Sequence, residues 1–141
     1  MIKFETLGMI DRAKINPVLT AENDVENYSF LEKDGITYLV LNHGTGDDAF
    51  RTDIVIPAGE YMRGFDLAAH INQKLVIDLI HTDYDLEAET PVAPAKDDIL
   101  TISDGKLAKA EEAPESGLYL KVTDTGCKLT GPAVKAVILS A

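Results

Sequence analysis

The chain has 141 residues, enough for one domain with a substantial core, and 45% of them are hydrophobic. Acidic residues outnumber basic ones 24 to 13, a net charge of −11 spread over both halves; this excludes the clustered positive charge that nucleic acid or an anionic membrane surface requires. Cys127 is the single cysteine, so no internal disulfide can form, and no apolar run approaches a signal-peptide core or a membrane span; together these predict folding in a cytosol.

Residues 1–27 mix apolar and polar side chains without a clean period. Leu7, Ile10 and Ile15 fit a short helix, but Asn16-Pro17 disfavours helix there, because proline pushes the preceding residue toward extended backbone. The region reads as an extended N-terminal arm with short turns. Tyr28 to Asn42 is the clearest hairpin: two apolar runs flank Asp34-Gly35, and glycine adopts the positive φ of a tight turn at no steric cost. Along ITYLVLN both alternating faces are apolar, which predicts a central strand.

HGTGDDAF, residues 43–50, is a loop by composition. Ile54-Val55-Ile56 reads as a short strand closed by Pro57-Ala58-Gly59, and Asp66 is placed to cap a short helix through Ile71. Leu67, Ile71, Leu75 and Leu79 recur every four residues, which suits one long helix over 66–80, but KLVIDLI, residues 74–80, is apolar nearly all round and rich in β-branched residues, so a short helix followed by a buried strand is the reading chosen. Residues 83–98 carry six acidic residues, one lysine and two prolines, the composition of a loop. Ile99 to Val122 then spells three strands, the first two joined by Asp104-Gly105, and Ala133 to Leu139 alternates as a last strand. The predicted fold is mainly β: a small barrel or sandwich with one short helix and the arm, as a single domain over residues 1–141.

Few residues suggest reactive chemistry. His81, Asp83 and Asp85 alternate in HTDYD; on a strand all three would share one face, where an imidazole and two carboxylates can ligate a divalent metal. The competing reading is a polar strand end entering an acidic loop, with no further ligand at a telling spacing. Gly44-Thr45-Gly46-Asp47-Asp48 lacks the Lys-Ser/Thr ending of a phosphate loop and the closing Glu of a calcium loop. Cys127 beside Lys128 has no partner histidine marked by sequence, and no serine sits in a Gly-x-Ser-x-Gly elbow. The reading is of a non-enzyme without cofactors.

The phrases GMIDRAKINPVLTAENDV, GITYLVLN, IPAGEYMRGFDLAAHINQKLVID and ILTISDGKLAKAEEAPESGLYLKVTD span most of the chain, and their style and order resemble auxiliary head proteins of tailed bacteriophages and prophages. The resemblance implies a virion structural protein on the capsid exterior, assembled in the host bacterial cytoplasm. Its expected partners are the major capsid protein and further copies of itself, a trimer foremost, with neither nucleic acid nor membrane. For capsid contact the arm's apolar residues Leu7, Ile10, Ile15 and Val18 are the candidates. A tail-tube or head–tail connector component is the alternative within the virion. A small metal- or carbohydrate-binding module is the alternative of another class.

Overall fold

The computed structural model describes residues 1–5, 19–41 and 54–141. The arm's Leu7, Ile10, Ile15 and Val18, and the loop at 43–50, lie outside the described residues. In chain order the strands are β1 (Ile2–Phe4), β2 (Leu19–Thr20), β3 (Val25–Glu26), β4 (Phe30–Lys33), β5 (Ile36–Val40), β6 (Val55–Ile56), β7 (Tyr61–Met62), β8 (Gly64–Asp66), β9 (Lys74–Asp78), β10 (Ile99–Ser103), β11 (Lys106–Ala110), β12 (Leu118–Lys128) and β13 (Pro132–Ser140).

The mainly-β expectation holds, in the form of a sandwich-like arrangement; among the described residues no barrel closes. The larger sheet runs β1-β9-β13-β12-β10-β11, and every neighbouring pair in it is antiparallel. A three-stranded sheet, β4-β5-β8, packs against it. Leu39 and Phe65 from the small sheet meet Leu75, Leu120 and Ile138 from the large one in a single core. At sandwich spacing, sheets about 10 Å apart bury the inward half of each strand.

β5 is central, as its two apolar faces predict. Leu39 enters the main core, while Val40, pointing the other way, joins Ala21, Ile56 and Met62 in a second, smaller core. That second core draws the described flank of the arm into the body: β2 pairs with β7, and β3 with β6. At the arm's start, β1 pairs with β9, and Phe4 stacks 5.4 Å from Phe65. Gly64 allows β8 to lie close, since a Cβ there would stand 2.9 Å from Leu19 Cδ1.

Both Asp-Gly turns form as read, with φ of 52° and 76° at Asp34 and Gly35, and 49° and 80° at Asp104 and Gly105. Asp66 caps its helix by accepting a hydrogen bond from the Ala68 N–H at 3.0 Å, but the helix is a single 3₁₀ turn, Leu67–His70, ending short of Ile71. Two boundaries shift outward. β12 continues past Val122 to Lys128 through two register shifts, and β13 starts at Pro132.

Candidate functional site

β9 ends on Asp78, a carboxylate with no solvent exposure in a run that is otherwise apolar. A buried carboxylate is tolerated only when donors surround it. Here the amine of Met1 donates to Oδ2 at 2.8 Å, brought there by the β1–β9 pairing. The turn between β12 and β13 supplies the rest: Thr130 Oγ1 donates to Oδ2, while the N–H groups of Thr130 and Gly131 donate to Oδ1 at 3.2 and 3.3 Å. Burial alone raises the Asp78 pKa, but these donors outweigh it and hold the carboxyl below its ordinary range.

His81 completes the junction. Its Nε2 lies 2.7 Å from the Met1 amine, so the ring accepts a hydrogen bond there and is neutral. Burial first, then the positive amine, lower its pKa to about 4, against the opposing pull of Asp78. The ring of Tyr28 packs 5.7 Å from the imidazole at 51°. Tyr28 is itself unusual, with φ of 58° and a buried hydroxyl that has no hydrogen-bond partner among the described residues. Its pKa is raised by burial, with the charge of Asp78 adding to the effect. Chemically the junction is a latch. The Asp78 lone pairs face four donors, and the basic nitrogen of His81 is occupied by the amine. What the groups hold together is the start of the chain, the end of β9 and the β12–β13 turn.

The three sequence candidates for a metal do not share a strand face. β9 stops at Asp78, and a 3₁₀ turn, Leu79–His81, breaks the alternation. His81 turns inward to the latch. Asp83 Oδ1 accepts the Lys109 N–H at 2.9 Å, pinning the acidic loop to β11. Asp85 Oδ1 accepts the Glu87 and Ala88 N–H groups at 3.0 and 3.1 Å, an Asx-type turn inside that loop. Among the described residues no group of three or more His, Cys, Asp or Glu side chains is arranged to hold a metal ion.

A second polar junction lay unread in the same loop. The Tyr84 hydroxyl donates to Asp98 Oδ2 at 2.6 Å, Ala95 N–H donates to the same oxygen, and Lys109 Nζ stands 3.3 Å from Oδ1. Burial and the Asp98 carboxylate push the Tyr84 pKa up strongly. Cys127 lies part-exposed on the far half of β12, its Sγ 4.0 Å from the Thr125 carbonyl oxygen.

Among the described residues the open spaces include several shallow grooves. Two of them, of about 360 and 280 Å³, flank β4 and share Asp24, Val25 and Leu31 as lining. Comparison with family models, with curated proteins and with solved structures finds no match to this chain.

Proposed function

We propose that this protein is a structural component of a bacteriophage virion, decorating or cementing the outer surface of the capsid lattice. Its partners are then the major capsid protein and further copies of itself, with a trimer as the first state to test. The observation that supports this reading best is the latch at Asp78. The side chains that sequence marks as chemically able, His81 and Asp83 among them, bind the molecule's own backbone and amine. They brace a β body whose exterior is strongly acidic. A repeated lattice asks for such a tile: a fixed shape whose contacts recur by symmetry. The negative exterior also suits a position outside the shell, since it repels packaged nucleic acid.

The direct test mixes purified protein with undecorated capsids and measures co-sedimentation. Saturable binding at a copy number fixed by lattice symmetry is expected. Folded protein that does not bind overturns the assignment, and ring assembly by the protein alone moves it to the tail tube or head–tail connector.

A further inference from the structure

β4 is an edge of the three-stranded sheet, and its outward backbone groups can be identified. A two-residue turn makes Lys33 and Ile36 a hydrogen-bonded pair, so Leu31 and Lys33 bond inward to β5, while Phe30 and Glu32 point their N–H and C=O groups outward. One bond checks that parity: Phe30 N–H donates outward to the Gly105 carbonyl at 2.9 Å. The next outward donor, Glu32 N–H, lies about 6.6–6.8 Å further along the strand. Glu32 is exposed, and among the described residues none takes up its backbone on that side.

Two other exposed stretches of sheet are defended, as exposed edges commonly are. β11 is covered by residues 82–83, through the Thr82–Leu107 bridge and the bonds of Asp83 to Leu107 and Lys109. The far half of β12 bends through its two register shifts. β4 has no bulge within Phe30–Lys33; the Asp104-Gly105 turn takes up its Phe30 end, and beyond that no described residue covers the edge at Glu32, where the two grooves leave open space on its flanks.

The lining of those grooves states what fits. Glu22, Asp24, Glu26, Glu32 and Asp104 face only Lys33 and Lys106, and Lys33 is already paired with Glu22 at 3.5 Å. A second copy of this chain, with its net charge of −11, would bring like charge to the edge. We propose that the β4 edge binds an extended, lysine- or arginine-bearing segment of a partner protein, added antiparallel as a fourth strand. Main-chain bonds to the N–H and C=O of Glu32 give affinity, since the Phe30 N–H is already held by Gly105, and the acidic flanks select positive side chains. The inference goes beyond the capsid reading and stands whichever partner supplies the segment.

The test uses the whole protein and two synthetic octapeptides, one alternating valine with lysine and one alternating valine with glutamate. Amide NMR should show the lysine peptide shifting Leu31–Lys33 and slowing hydrogen exchange at Glu32. The glutamate peptide should bind at least about tenfold more weakly. The double variant Glu22→Lys/Glu32→Lys, whose changes lie on exposed side chains, should invert that preference while keeping the native spectrum. Glu32→Pro, which deletes the outward donor, should lose binding altogether. Shifts mapping elsewhere, equal binding of both peptides, no binding of either, or a β4-linked dimer of the free protein in sedimentation would each overturn the proposal.

Discussion

His81 sits where a titrating group must stay neutral for the fold to persist, and this fixes the sign of a pH effect. Its pKa falls from the ordinary 6.5 to about 4 in the folded chain. The unfolded chain therefore binds a proton that the folded chain refuses across that window. The His81 contribution to stability is complete above pH 6.5 and declines as the pH falls toward 4, by on the order of 3 kcal/mol at most. Asp78 and Asp98, held below their ordinary 3.8, add their losses only at still lower pH. Urea titrations at steps from pH 7 to pH 4 should show the decline, and His81→Gln, which keeps an acceptor for the Met1 amine without the titration, should flatten it. An equal slope in the variant would place the effect elsewhere. The latch was half-legible in sequence. A lone aspartate inside KLVIDLI announces a buried carboxylate in need of donors, but those donors, Met1 and Thr130, lie far away in the chain and carry no local signal. The alternation of His81, Asp83 and Asp85 misleads for a related reason: it presumes a strand that a 3₁₀ turn ends first.

The elements most legible in sequence are those with both a turn signal and enough length to show a period. The two Asp-Gly hairpins satisfy both conditions; the strand at 74–78 is legible from its apolar, β-branched content and the one at 132–140 from its alternation, and the Asp66 cap carries its own local mark. β1, β2 and β3 satisfy neither: two or three residues cannot display a period of two, and what makes them strands is a distant partner. The far half of β12 escapes for the opposite reason. TDTGCK is polar and largely exposed, so it lacks an apolar face, yet β13 continues beside it. The hairpin turns should be correspondingly sensitive. Gly35 has φ of +76° and open space around its Cα, so Gly35→Ala tests backbone strain free of any clash. It should cost about 1–2 kcal/mol, read as a lower urea midpoint with an unchanged slope. A neutral outcome would mean the turn relaxes to another form.

At the scale of the molecule, charge and composition bounded the class while leaving the strand order open. Neither the position of β1 beside β9 nor that of β13 on its other side has a sequence mark, because pairing between distant segments is decided by the shared core. That arrangement has a consequence in time. Ile77 is paired with Ile2 on one side and Val134 on the other, so one side of the large sheet is assembled from segments some 60 to 75 residues apart in the chain. Pro132–Ser140 must be synthesised and leave the ribosome's exit tunnel before β9 gains its second neighbour. The β10–β11 hairpin can close within roughly 1–10 μs, whereas the sheet as a whole must wait for its longest loops. Stopped-flow refolding should therefore be rate-limited in milliseconds to seconds, and completion within the mixing dead time would contradict it. In the interval a nascent chain presents the apolar faces of Leu75 and Ile77 with one flank open, which makes the arrival of β13 the step that shields this sheet from aggregation.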